Sequence, residues 1–180
     1  VREDFYGEIA KHVAEPGSGA TVSMQTGQPV TSGWATAQAG HEHVEPSQTF
    51  SEDSLKRYAG ANREPLEQAG YMGLWHAEGG RGAGVYHDVT EVRPNTYRGG
   101  VESIARGYQQ NQDAVFNIDR MQELSMRPKN RAEQRGTRAA MRSLRAQRPA
   151  SVGPETTISQ MSPEALGAAL RGRRTIQEGR

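Results

Sequence analysis

Tyr71-Met72-Gly73-Leu74-Trp75-His76 and Gly84-Val85-Tyr86-His87-Asp88-Val89-Thr90 decide the fold. Both runs are rich in aromatic and apolar residues, and the flexible Glu78-Gly79-Gly80-Arg81-Gly82 joins them. Side chains alternate along a strand, so Val85, His87 and Val89 share one face while Tyr86, Asp88 and Thr90 share the other. Two such runs around a short loop predict an antiparallel hairpin. The glycine run lacks the Lys-Ser/Thr of a phosphate-binding loop and opens no helix, so it reads as a hairpin connection with Arg81 at its tip.

Upstream, Ser51 is a good N-cap with Glu52 and Asp53 in the first helical turn, where the helix dipole favours acids. Leu55, Tyr58, Ala59 and Asn62 keep helical spacing, Pro65 breaks or restarts the helix, and Gly70 stops it. Further back, Ala20–Thr26 is β-rich, Gly27-Gln28-Pro29 is a turn, and Val30–Gln38 around Trp34 reads as the return strand of another hairpin. His41-Glu42-His43 and Pro46-Ser47 read as a polar loop. Phe5, Ile9 and Val13 give residues 2–14 an amphipathic helix that Pro16-Gly17 ends. Downstream, Val101, Ile104, Ala105 and Tyr108 predict a third helix, and residues 113–119 a short strand. The expected fold class is α+β: a compact domain with a mostly antiparallel sheet of two hairpins plus a short strand, and about three helices.

Charge divides the chain near residue 126. Residues 127–180 carry twelve Lys or Arg against four acids, a net +8, while residues 1–126 carry ten against seventeen, a net −7. No aromatic residue follows Phe116. The expected organisation is an N-terminal amphipathic helix over 1–19, an acidic α+β domain over 20–126, and a basic, largely extended or helical tail over 127–180. Within that tail, helices are expected near 131–147 and 163–171, the second with a short apolar edge from Leu166 to Leu170. Deleting the tail is expected to leave a folded body. No cysteine is present, which excludes disulfides, thiolate metal sites and thiol nucleophiles. No apolar run reaches the roughly 20 residues of a membrane span. Val1-Arg2-Glu3-Asp4 has neither the apolar stretch of a secretory signal nor an initiator Met.

Thr31-Ser32-Gly33-Trp34-Ala35, the two runs of the central hairpin, and Asn111-Gln112-Asp113-Ala114-Val115-Phe116-Asn117-Ile118-Asp119 stand in the same order as in a small domain of uncertain function. The sequence resembles members of that domain found in actinobacterial phage, prophage and mobile-element proteins, sometimes beside minor capsid-type segments. The resemblance covers about residues 20–120. His87 departs from it, standing where the family usually has an aliphatic residue before the Asp. The resemblance implies a structural or accessory role, location in a virion or host cytoplasm, and other virion or assembly proteins as partners in an oligomer. It supplies no catalytic residues.

Three constellations bear on chemistry. His41, His43, His76 and His87 offer imidazole nitrogens, but their spacing matches no known ligand pattern, so solvated histidines are the expectation, with no metal and no cofactor. His76 with Asp88 as its orienting carboxylate and Tyr86 as acid would form a hydrolase or toxin-like site, with Asn111 and Gln112 as oxyanion donors. The competing reading is ordinary cross-strand packing in a hairpin. Finally, Arg131, Arg135, Arg138, Arg142 and Arg145 step by three or four and form one stripe if helical. With Arg148, Arg171, Arg173 and Arg174 they are the candidate binding residues, for DNA phosphates, an acidic protein surface, or solubility alone. The leading expectation is a non-enzymatic phage or mobile-element accessory protein, with a small hydrolase and a sequence-independent nucleic-acid binder as alternatives.

Overall fold

The computed structural model describes residues 4–77 and 83–148. Along the chain run α1 (Phe5–His12), β1 (Gly19–Ser23), β2 (Trp34–Ala37), β3 (His43–Glu45), α2 (Glu52–Ala61), α3 (Arg63–Ala69), β4 (Tyr71–Ala77), β5 (Gly84–Arg93), α4 (Tyr97–Gln109), β6 (Ala114–Asn117), β7 (Gln122–Ser125) and α5 (Arg131–Ala146). The fold is α+β with antiparallel strand pairing. It forms two units: Val1–Thr31 with Ala37–Val92, and Ser32–Thr36 with the chain from Arg93 onward.

In the first unit the strand order is β1, β4, β5, β3. The central hairpin forms as its pattern demands: Met72 faces Val89, Leu74 faces His87 and His76 faces Val85 across the β4–β5 ladder. These six residues are buried and share the inner face. Helices α1, α2 and α3 cover that face with Phe5, Ile9, Leu55, Tyr58 and Leu66. Helix α2 starts at the expected cap. The Ser51 hydroxyl accepts from the Ser54 backbone N–H at 3.3 Å and the Ser54 hydroxyl from the Ser51 N–H at 3.0 Å. The helix breaks at Asn62, α3 restarts with Pro65 in its first turn, and Gly70 ends it at φ 86°.

The expected hairpin of residues 20–38 does not form. The turn at Gly27 is real, with Ser23 N–H on the Gln28 carbonyl and Val30 N–H on the Thr21 carbonyl. Pairing stops at the Val22–Pro29 bridge: β1 pairs along its other edge with β4, and Trp34 and Ala35 of β2 leave to pair with Asn117 and Phe116 of β6. The polar stretch at His43–Glu45 is likewise a strand, β3, paired to β5 with His43 opposite His87.

In the second unit β2, β6 and β7 pair in that order, and α4 and α5 pack with them. Its core is Trp34, Ile104, Val115, Leu124, Met126, Ala140 and Leu144. Asp119 fixes the entry of β2: its carboxylate accepts from the Ser32 hydroxyl at 2.8 Å and the Gly33 N–H at 2.7 Å. Gly33 sits there at φ 125°, a conformation that suits glycine. Strand β7 lies just beyond the expected last strand. Helix α5 is the expected 131–147 helix, capped by the Asn130 side chain on the Ala132 and Glu133 N–H groups.

Among the described residues five helices stand, against about three expected ahead of the tail, since Asn62 splits one into two and α5 belongs to a packed unit. That packing corrects the expectation that residues 1–126 make a whole body. Ala140 and Leu144 are each 1% exposed within the second core, so a cut at 126 removes part of it. The expected 163–171 helix, Leu166–Leu170, Arg171, Arg173 and Arg174, and the Gly79–Gly82 loop with Arg81, lie outside the described residues.

Candidate functional site

The His76–Asp88 pair of the sequence reading is not assembled. His76 lies on the inner face opposite Val85, whereas Asp88 is opposite Gly73 on the outer face. Three residues separate them along β5, about 10 Å at strand rise, and the sheet lies between. Tyr86 is on the outer face with Asp88, paired to Trp75. Burial, and then the charge of Glu42, push the Asp88 carboxyl up to about 7. Asn111 and Gln112 are used in the turn after α4: the Asn111 side chain accepts from Arg127 and the Gln112 amide donates to the Gln110 carbonyl.

His76 has other partners. The Val13 carbonyl lies 3.0 Å from its Nδ1, and since a carbonyl only accepts, Nδ1 carries the proton. Nε2 is then the acceptor for the Ser47 hydroxyl at 2.7 Å. A buried, oriented imidazole on a serine hydroxyl has the form of a nucleophile and its base, with a backbone carbonyl in the place of the orienting carboxylate. Ser47 was invisible as a partner in the sequence because Pro46-Ser47 reads as loop.

The other inner-face histidine is placed differently. His87 is 0% exposed, and neither ring nitrogen has a hydrogen-bond partner among the described residues. Tyr58 meets its ring edge-on with centroids 5.2 Å apart, Phe50 lies at 5.7 Å and His43 at 5.5 Å. Burial, followed by the neighbouring His43, lowers the His87 pKa to about 4, so the ring is neutral at pH 7. Burial is also the main reason the Tyr58 hydroxyl is raised well above its ordinary range; it donates to the His41 carbonyl at 2.8 Å. His43 and Glu45 alternate with Val44, so both stand on the side of β3 that His87 occupies on β5. His41 is elsewhere, with Nδ1 3.0 Å from the Asn62 side chain.

The tail arginines that the structure describes form one surface. At 3.6 residues per turn, Arg131, Arg135, Arg138, Arg142 and Arg145 fall within about 80° of arc on α5 and span about 21 Å. All five are exposed. The buried Ala140 and Leu144 lie about half a turn away, so the packing that anchors α5 leaves the arginine stripe facing solvent. None of the five pairs with a carboxylate among the described residues. By contrast, Lys129 is bound to Asp113 at 3.2 Å and Arg98 to Glu102 at 2.7 Å. Arg148 follows the helix end, its N–H on the Arg145 carbonyl at 3.0 Å. An array of five exposed guanidinium groups on a fixed rod is suited to a row of phosphates or carboxylates.

No described helix is long and apolar enough to cross a membrane. Among protein-family models, curated proteins and solved structures, none matches this chain.

Proposed function

We propose that the protein is a non-enzymatic nucleic-acid-binding accessory protein that holds the phosphate backbone, without reading bases, through the arginine face of α5. The observation that carries this is the stripe itself: five exposed arginines, none paired with a carboxylate among the described residues, on one side of a helix whose other side is anchored in a core. A straight row of guanidinium groups about 21 Å long can lie along successive phosphates of one strand. Contacts of this kind act by counterion release and carry no sequence information. Aromatic residues are absent from α5, which leaves no stacking platform for bases. In the phage or mobile-element setting suggested by the three sequence motifs, the ligand would be the genome.

The test is fluorescence anisotropy of a labelled duplex against the full chain and a variant with all five arginines changed to Gln, from 50 to 200 mM salt. Substitution serves better than truncation, because removing α5 also removes core. If all five contact phosphate, the slope of log K against log salt is about −4.5, and the affinity falls by about 500-fold over that range. The five-Gln variant should keep its melting temperature and lose most of both the affinity and the slope. Unchanged binding by the variant, or no binding by the parent at 50 mM salt, would overturn the proposal. In the latter case an acidic protein surface becomes the partner to test.

One contact favours a second reading, a small hydrolase, namely the Ser47–His76 hydrogen bond at 2.7 Å. It requires that Ser47 react with a serine-directed fluorophosphonate and that Ser47→Ala abolish labelling. Absence of labelling on the parent chain removes this reading.

A further inference from the structure

We infer that His43, Glu45 and His87 form a binding site for a first-row divalent metal ion, with zinc as the expected occupant. Their candidate ligand atoms all lie within 4.8 Å of one another. Two imidazole nitrogens and one carboxylate oxygen are a donor set that zinc takes readily, and three protein ligands leave at least one position open for water or a ligand. Metal–ligand bonds of about 2.0–2.2 Å put neighbouring donors about 3.4 Å apart in a tetrahedron, so modest side-chain rotation closes the site. The backbone has already supplied most of this geometry. His43 and Glu45 stand two apart on β3, and His43 is directly opposite His87 on the β5 ladder.

A second, independent observation points to a ligand at this place. Among the described residues, fully buried His87 has no partner for either ring nitrogen, and the buried Oε2 of Glu45 has none either. Buried polar atoms without partners are rare and destabilising, and three of them beside one another need a common explanation. His76 on the same inner face gives the contrast, since both its nitrogens are satisfied by protein atoms. A metal satisfies one His87 nitrogen and Glu45 Oε2 together, and leaves the second His87 nitrogen to carry the ring proton. Arg57 is 4.0 Å from the other Glu45 oxygen, Oε1, and its side chain is mostly exposed, so Oε2 remains the ligating atom. Access comes from a groove of about 400 Å³ lined by His41, Glu42, His43, Glu45, Arg57 and Tyr58. Phe50 and Tyr58 pack on the His87 ring and hold that ligand in place.

The test uses the full chain, stripped with chelator and titrated with Zn²⁺ against a colorimetric indicator, and separately with Co²⁺ followed by its visible absorption. One equivalent is expected to bind, with Co²⁺ giving the spectrum of nitrogen and oxygen ligation. His43→Ala and Glu45→Gln should each weaken binding at least about 100-fold, since each removes or weakens a direct ligand. His43 is exposed, so its variant keeps the fold, and an unchanged circular dichroism melt in the absence of metal checks this. His41→Ala should leave binding unchanged, because His41 is held on Asn62 outside the cluster. The inference is overturned if the parent chain binds no stoichiometric metal, if His43→Ala binds as the parent does, or if the loss follows His41 instead.

Discussion

Replacing Gly100 by alanine tests whether α5 is part of a folded unit or an arm. A Cβ at Gly100 would lie 2.4 Å from Leu144 Cδ1 on α5 and 3.0 Å from two ring atoms of Trp34. Leu144 and Trp34 are at most 2% exposed, so neither has free space to move into. Two terms of opposite sign compete. Alanine in place of glycine inside a helix stabilises by up to about 1 kcal/mol. Overpacking a filled core costs about 1–3 kcal/mol. Gly136 on α5 provides the control, because a Cβ there meets nothing within 4 Å and only the first term operates. Gly136→Ala is therefore expected to stabilise by about 0.5–1 kcal/mol, and Gly100→Ala to be neutral or destabilising by up to about 2 kcal/mol. The propensity term is common to both, so the gap between the variants reports the clash alone. Urea unfolding followed by far-ultraviolet circular dichroism reads it as the separation of the two midpoints, Gly136→Ala moving up and Gly100→Ala staying or moving down. Equal stabilisation by both would mean that Leu144 and Trp34 do not press on α4, and the packing of α5 would be refuted.

Asp119→Asn should lower stability by about 0.5–1 kcal/mol at pH 7, since a solvent-screened carboxylate accepting from Ser32 and Gly33 becomes a weaker acceptor. Burial alone would raise the Asp119 carboxyl, but the hydrogen bonds from Gly33, Ser32 and Asn95 outweigh it and hold the group below the ordinary range. A folded pKa below the unfolded one gives stability that is present above about pH 4 and lost as pH falls through the folded value. The difference between parent and variant should therefore shrink on acidification; a constant difference in melts from pH 7 to pH 3 contradicts the assignment. His76→Ala should cost about 1–3 kcal/mol, because it strands the Val13 carbonyl, and thermal melts measure it. A melt unchanged from the parent would show that His76 does not tie α1 to the sheet.

The parts of the fold that the sequence makes legible are those set by near neighbours. Alternation in Val85-Tyr86-His87-Asp88-Val89 places the inner face of β5, and Ser51 and Gly70 mark their helix ends through backbone chemistry confined to a few residues. Partner choice over long distances is different. The turn at Gly27 is locally strong, yet β1 finds its strand about 50 residues on, and Trp34 finds β6 about 80 on. Strand β3 is hidden because His43-Val44-Glu45 has only one apolar residue, and the strand exists through its pairing with β5. The packing of α5 rests on Ala140 and Leu144, too little apolar surface to register in composition. The arginine stripe is legible because helical spacing alone creates it. The metal-type cluster is half legible: His43 and His87 stand out by residue type, but only the β3–β5 register brings Glu45 to them and leaves His41 and His76 aside.

The removal of Ser32–Thr36 to the second unit has a consequence for the order of events at the ribosome. Trp34 is made early, but Leu144, which helps to enclose it, follows about 110 residues later. At about 5–20 residues per second, that indole waits on the order of 5–20 seconds for its enclosure, longer than small domains commonly need to fold. Throughout that interval a large apolar ring is available to the wrong partner. Slow translation between codons 34 and 144 should therefore favour aggregation or chaperone capture over native yield, and fast translation should relieve it.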